Sequence, residues 1–120
     1  MRAKDALGRF GEDVAARYLS ELGMRVVERN WRCDLGELDI VAIEGSTLVV
    51  CEVKTRRTDQ FGSPVEAVTS RKAARLRRLA GRWLAEHPHA RPVEVRIDVI
   101  GVLRPARGAT LVDHRRGDLW

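Results

Sequence analysis

A chain of 120 residues, 44% hydrophobic and 32% charged, has the length and composition of one folded domain with a modest core. It contains no run of roughly 20 apolar residues that could span a bilayer, no signal-peptide pattern at its start and no CxxC pair between its cysteines. We therefore expect a cytoplasmic, single-domain protein over residues 1–120, with a core over about 5–103 and a C-terminal strand and tail over 104–120.

The net charge of +5 is divided unequally between the two halves of the chain. Residues 1–60 hold 10 Lys/Arg and 11 Asp/Glu, whereas residues 61–120 hold 12 and 6. Acidic residues beside a basic surface suit an enzyme that binds both a metal ion and a nucleic acid. The same balance also suits proteins that merely carry a basic helix.

Hydrophobic periodicity predicts an α/β fold with the core order α-β-β-β-α-β. The third strand is apolar on both faces and is therefore expected at the centre of the sheet. A meander followed by a helical crossover predicts a mixed central sheet flanked by helices. The predicted elements are a helix over 5–22, strands over 25–32, 37–43 and 47–55, a short helical turn from a capping box at 63–66, a helix from 69 or 70 to about 86, a strand over 93–103 and a short fifth strand over 109–113.

Charged residues interrupt the apolar second and third strands. Because side chains alternate faces along a strand, Glu37 and Asp39 share one face of the second strand, and Glu52 and Lys54 share one face of the third. If the two strands pair as a hairpin, the carboxylates and the ammonium meet on one patch. Either they are exposed edge residues, or the carboxylates bind Mg²⁺ or Mn²⁺, hard cations that prefer such oxygens.

These residues resemble the signature of the PD-(D/E)xK nucleases, in which an aspartate on one strand precedes an E-x-K motif on the next. Asp39 lies 13 residues before Glu52, and Leu38 stands where that signature has proline. Further motifs, in the same order, resemble the YraN-like family of small bacterial proteins, which is grouped by fold with archaeal Holliday-junction resolvases. These motifs are GRFGE at 8–12, RNWR at 29–32, GELD at 36–39, VCEVKTR at 50–56 and FGSP at 61–64.

The resemblance implies a restriction-endonuclease-like core and a site for Mg²⁺ or Mn²⁺. It implies that Asp39, Glu52 and the backbone carbonyl of Val53 bind the metal, and that Lys54 is the catalytic lysine. Glu12 matches a glutamate on the first helix of the resolvase-like group, where it would join the catalytic and metal-binding residues. Either Glu12 or Glu37 could complete a second metal site. Glu12 could equally be a solvated helix residue.

Basic residues on the second long helix are candidates for nucleic-acid binding. Four arginines project from one side, opposite the apolar face, and form either a solvated face or a stripe that contacts phosphates. Lys72 lies on the apolar side and needs a carboxylate or phosphate partner, unless it extends along the helix edge. Arg56 and Arg57 follow the E-x-K strand and could contact phosphates or remain loop charges. The stripe comprises Arg71, Arg75, Arg78 and Arg82.

Together these features predict a divalent-metal-dependent endonuclease that hydrolyses DNA phosphodiesters. Branched DNA is suggested only by the resolvase resemblance, and a homodimer would follow from that substrate. Two alternatives are a nucleic-acid-binding module with the nuclease fold but little turnover, and a docking partner in a DNA-processing assembly. Elsewhere, Asp98 is expected to pair with a neighbouring arginine and Cys51 to be a core thiol, and no role is assigned to His114.

Overall fold

The computed structural model describes residues 5–58 and 69–117. It confirms the α/β prediction and places every predicted helix and strand in these ranges within about two residues of its expected bounds. The capping box at 63–66 and the FGSP motif at 61–64 lie outside the described residues. The elements are α1 (Ala6–Glu21), β1 (Arg25–Cys33), β2 (Gly36–Glu44), β3 (Thr47–Arg56), α2 (Ser70–Glu86), β4 (Glu94–Leu103) and β5 (Leu111–Arg115).

The strands form one mixed sheet in the order β1-β2-β3-β4-β5. Strand β3 lies at the centre, antiparallel to β2 and parallel to β4, as its apolar faces and the α2 crossover predicted. The other neighbouring pairs are antiparallel. The C-terminal ends of β3 and β4 therefore lie side by side at one edge of the sheet.

Alternating side chains of the strands fill two core layers, one under each helix. On one face, Leu48 and Val50 pack with Leu76 and Trp83 of α2. On the other face, Val49 and other strand residues pack with α1. Neither α1 nor α2 is long and apolar enough to cross a membrane, and the described residues contain no other helix that is.

A glycine allows helix α1 to pack close to β3. Asp5 caps the helix by accepting a hydrogen bond from the backbone N–H of Gly8 at 2.7 Å. One turn later, a Cβ at Gly11 would overlap the Thr55 hydroxyl and lie 2.8 Å from Thr55 Cβ. The missing side chain lets the start of α1 approach the strand that carries Glu52 and Lys54.

The buried Asp98 anchors the C-terminal part of the described chain. Its carboxylate is fully buried and accepts hydrogen bonds from Arg96 Nε at 2.9 Å and the backbone N–H of Gly117 at 2.9 Å. The prediction that Asp98 pairs with a neighbouring arginine is thus confirmed, and that arginine is Arg96. No sequence pattern indicated a role for His114, which bridges Asp98 (Nε2, 2.8 Å) and the Tyr18 hydroxyl (Nδ1, 3.1 Å) and so joins β5, β4 and α1.

Candidate active site

A cavity of about 660 Å³ opens at one end of β2 and β3, between the start of α1 and the first turns of α2. Its walls carry acidic and basic side chains together with a few apolar ones. The charged residues that line it are Asp5, Arg32, Glu37, Asp39, Glu52, Lys54, Lys72 and Arg75. The cavity therefore brings together Asp39, Glu52, Lys54 and Glu37 of the sequence-predicted site.

The acidic pair lies where pairing between β2 and β3 ends. The last paired residues are Ile40 and Cys51, and Asp39 and Glu52 are the next residue on each strand. Beyond this point the backbone N–H of Val53 donates a hydrogen bond to Asp39 Oδ2 at 2.9 Å. The Asp39 side chain thus takes the place of a backbone carbonyl as acceptor for Val53. This hydrogen bond, just past the last β2–β3 pair, fixes the Asp39 carboxylate beside Glu52.

The environment of Glu52 disfavours its charge. Asp39 is 7% exposed, and the Glu52 side chain is 12% exposed. Burial, the hydrogen bond that protonated Glu52 donates to Asp39, and the negative charge of Asp39 raise the pKa of Glu52 to about 7, although Lys72 acts in the opposite direction. Proximity to the Asp39 charge therefore favours the protonated form of Glu52.

Two lysines from different elements line the cavity that holds this carboxylate. Lys72 on α2 forms an ion pair with Glu52, with 3.1 Å between Nζ and Oε2, which supplies the partner that its position on the apolar side required. Burial and the neighbouring Lys72 lower the pKa of Lys54. For Lys72, burial acts to lower the pKa, but the hydrogen bond to Lys54 and the interactions with Glu52 and Asp39 outweigh it, so the pKa is raised.

The donor set at Asp39 and Glu52 fits a hard divalent cation that keeps much of its water. A cation would relieve the repulsion that raises the pKa of Glu52, and Val53, whose carbonyl is the expected third ligand, lines the same cavity. Mg²⁺ is commonly bound by one or two carboxylates and several waters. No group of three His, Cys, Asp or Glu placed to hold a metal occurs among the described residues, so a fully protein-ligated site is not formed there.

The other two acidic candidates differ in position. Glu37 lines the cavity and accepts a hydrogen bond from Arg32 Nε at 3.1 Å. Glu12, by contrast, is 1% exposed and is not among the described residues that line the cavity. Its Oε1 accepts hydrogen bonds from Arg29 Nε at 2.9 Å and Asn30 Nδ2 at 2.8 Å, which tie α1 to β1.

The basic candidates on α2 have unequal surroundings. Arg71, Arg75 and Arg78 are exposed. Arg75 reaches the cavity by crossing Gly36, whose positive φ of 144° suits glycine and whose Cβ would lie 2.7 Å from Arg75 Nη2. Arg82 is held by Asp34 at 2.7 Å and Glu86 at 3.1 Å, so this end of the stripe is already neutralised.

Beyond the E-x-K strand, the structure adds a basic residue that the sequence patterns did not indicate. Arg56 is the last residue of β3 and Arg57 follows it on the surface. The parallel register pairs Arg56 with Leu103, and Arg104 comes next to Arg57 in a second cavity. Arg57 and Arg104 are far apart in sequence, so only the register of β3 with β4 shows that they are neighbours.

Comparison with known proteins defines the class to which this fold and site belong. The profile described as "Uncharacterised protein family UPF0102" matches residues 11–102, which include β1 to β3, α2, most of β4 and the acidic pair. The chain is 62% identical over 117 residues to the UPF0102 protein of Frankia casuarinae, covering 98% of each chain. It is 64% identical over 118 residues to that of Beutenbergia cavernae, again covering 98% of each, and 59% identical over 118 residues to that of Streptomyces coelicolor, covering 98% of this chain and 91% of the relative.

The chain therefore belongs to the UPF0102 family. The relatives have nearly the same length as this chain, so the similarity extends over the whole of the fold described above.

Proposed function

We propose that this protein is a divalent-metal-dependent endonuclease of the PD-(D/E)xK type that hydrolyses DNA phosphodiesters. The observation that carries the proposal is the convergence of Asp39 and Glu52 with Lys54 and Lys72 in one open cavity. A structural ion pair rarely places two carboxylates side by side, because their charges repel each other. Metal-dependent phosphodiester hydrolysis does use such a pair, because the two carboxylates together bind the cation.

Each residue has a distinct part in the proposed reaction. Asp39 and Glu52, with the Val53 carbonyl, would hold Mg²⁺ or Mn²⁺, and the bound cation supplies a water of lowered pKa and stabilises charge on a phosphoryl oxygen. The hydrogen bond from Val53 N–H holds Asp39 Oδ2 in place. Lys54 presents a cation in the same cavity as the carboxylates, where it would orient a water or stabilise the negative charge that develops on the phosphoryl oxygens.

The substrate follows from the charge around the cavity. Arg75 lines it, and Arg71 and Arg78 continue along the exposed side of α2. A polyanion bound along this side would be held by sequence-independent phosphate contacts. Branched DNA is the preferred form of substrate on the resemblance to junction resolvases, and two cuts across a junction would require two active sites, hence a homodimer.

The test is cleavage of labelled linear, forked and four-way-junction DNA with Mn²⁺, Mg²⁺ or EDTA. We expect metal-dependent cleavage that falls at least 100-fold in Asp39→Asn, Glu52→Gln and Lys54→Met, because each removes a group from the reacting centre. Glu21→Gln, at the exposed C-terminal end of α1, is the matched control and should cleave as the unaltered protein does. Cleavage that survives Asp39→Asn would show that a contaminant or another site is responsible.

The second candidate is a nucleic-acid-binding module without turnover. It is favoured by the Lys72–Glu52 ion pair, because an ammonium already neutralises the carboxylate that a metal would use. DNA binding without cleavage under any metal would support this alternative. Lys72→Met separates the two, since it removes the competing cation: tighter Mn²⁺ binding in this variant is expected for the enzyme, and unchanged, negligible Mn²⁺ binding for the module.

A further inference from the structure

A second cavity, of about 350 Å³, lies at the same edge of the sheet as the candidate active site. It is lined by Arg57, Arg104, Pro105 and Ala106. The parallel register sets Arg57 and Arg104 side by side, one residue past the Arg56–Leu103 pair, and the Arg104 N–H donates to the Arg56 carbonyl at 2.9 Å. Two guanidinium groups are thus brought to one concave surface by the ends of β3 and β4.

Arg104 is oriented by an aromatic ring of α1. Its guanidinium carbon lies 4.1 Å from the centroid of the Phe10 ring, a cation–π contact that holds the planar group against the helix. Such bracing reduces the side-chain freedom that would be lost when the arginine binds a ligand. Arg104 therefore presents its hydrogen-bond donors from a defined position on an otherwise exposed segment.

Neither arginine of this cavity is neutralised within the described part of the chain. There, carboxylates pair with Arg29, Arg82 and Arg96, but neither Arg57 nor Arg104 forms an ion pair. Two arginines that line one cavity, and to which the described residues supply no counter-charge, would repel each other, and an external anion would relieve that repulsion. The planar donor fork of arginine matches the oxygens of a phosphate group.

We propose that Arg57 and Arg104 form a second phosphate subsite, which binds the DNA backbone a short distance from the bond that the proposed endonuclease cleaves. This rests on the proposed function for the identity of the polymer. Arg57 follows Lys54 by three residues, about 10 Å at ~3.3 Å per residue. One DNA strand advances about 3.4 Å along its axis per phosphate, so the subsite would contact the backbone a few nucleotides from the cavity that holds Asp39 and Glu52.

The test measures binding of fluorescein-labelled junction and duplex DNA by anisotropy, in EDTA to prevent cleavage and over a range of NaCl concentrations. The test variant is the double substitution Arg57→Gln/Arg104→Gln. The control is Arg25→Gln/Arg91→Gln, which removes equal charge from exposed positions near the opposite end of the sheet. A third variant, Phe10→Leu, keeps both charges but removes the ring that braces Arg104, and thermal unfolding verifies that each variant is folded.

We expect the test variant to bind DNA at least tenfold more weakly than the control, with a salt slope smaller by about 0.9 for each phosphate that the protein no longer neutralises. Phe10→Leu should lie between the control and the test variant. Equal affinity and slope in the test and control variants would overturn the proposal, as would absence of DNA binding by the unaltered protein. Inorganic phosphate at constant ionic strength is the other probe: saturable phosphate binding that needs both arginines, with DNA binding unaffected by their replacement, would assign the subsite to a small anion and refute it.

This experiment distinguishes the subsite from the chemistry. If DNA binding depends on Arg57 and Arg104 but no metal supports cleavage, the subsite stands and the endonuclease proposal fails. If the protein cleaves DNA but the two double variants bind alike, the endonuclease stands and the subsite fails.

Discussion

Replacing Glu52 with glutamine should stabilise the fold while it abolishes the proposed activity. The pKa of this carboxyl rises from 4.5 to about 7 in the folded protein, chiefly through burial and the adjacent Asp39. The folded state thus binds the Glu52 proton more tightly than the unfolded chain, so the free energy of unfolding falls as pH rises from about 4.5 through about 7.

The size of the effect follows from the two pKa values. At about 1.4 kcal/mol per pH unit, the difference between 4.5 and about 7 means that ionised Glu52 costs the fold about 3 kcal/mol above pH 8. Glutamine keeps the shape of the side chain and carries no charge. We therefore expect Glu52→Gln to raise the free energy of unfolding by about 3 kcal/mol at pH 8, or the melting temperature by roughly 10 °C for a chain of this size. At pH 4 the two proteins should be nearly equal.

Urea denaturation of both proteins between pH 4 and pH 9 measures this difference directly, and Glu21→Gln at an exposed position is the matched control. Mn²⁺ supplies a further comparison. Mn²⁺ should raise the free energy of unfolding of the unaltered protein as its concentration increases. It should have little effect on Glu52→Gln, which lacks one of the two carboxylates that bind the cation. If Glu52→Gln were less stable than the unaltered protein at pH 8, or if the difference did not vary with pH, the assignment of a strained acidic pair would be wrong.

Two further substitutions test how the fold supports the site. Gly11→Ala should lower the free energy of unfolding by about 1 to 3 kcal/mol, because the new Cβ would overlap Thr55. Gly81→Ala in α2 has open space around it and should be neutral or stabilising. Equal effects of the two substitutions in urea denaturation would refute the close approach of α1 to β3. Asp98→Asn should cost about 3 to 5 kcal/mol at pH 7, since it removes the buried counter-charge of Arg96 and the carboxylate that contacts His114 Nε2. Burial acts to raise the pKa of Asp98, but His114 and Arg96 outweigh it and the pKa is lowered, so the stabilisation by its charge is fully present above pH 3.8 and declines as pH falls through the lowered pKa; a deficit of Asp98→Asn that does not shrink below pH 3.8 would contradict this.

The acidic pair could be predicted from sequence because strand parity and one tight turn are local properties. Alternation along β2 and β3 puts Asp39 and Glu52 on one face, and the Gly45–Ser46 turn makes the strands neighbours. Few positions of the two carboxylates relative to each other therefore remain. Lys72 could be predicted to need a partner because a charge on an apolar helix face is costly. The identity of that partner, Glu52, required the packing of α2 on the sheet.

Other residues depended on features that no local pattern contains. The direction of Glu12 is set by β1, where the register shifts between Val26 and Glu28 and where Asn30 adopts a positive φ of 55°. That irregular strand offers Arg29 and Asn30 to the carboxylate, and a helical wheel cannot predict this. The neighbours of His114 and Arg104 are set by the pairing of β5 with β4 and of β4 with β3. The register of two strands cannot be predicted from the sequence of either strand alone.

The position of the site at the end of a strand pair explains how one sheet can hold opposing charges close together. Within the ladder between β2 and β3, backbone groups satisfy each other, and the paired side chains from Ile40 to Ile43 and from Leu48 to Cys51 are apolar. Past Ile40 and Cys51 the ladder stops, and Asp39 can accept the Val53 N–H while Glu52 turns toward Lys72 of α2. The carboxylates come from the acidic half of the chain and the ammonium and guanidinium groups of α2 from the basic half, so folding itself creates the contrast in charge. A cation placed there would meet carboxylates already held by backbone and side-chain contacts, and the binding energy would not be spent on ordering them.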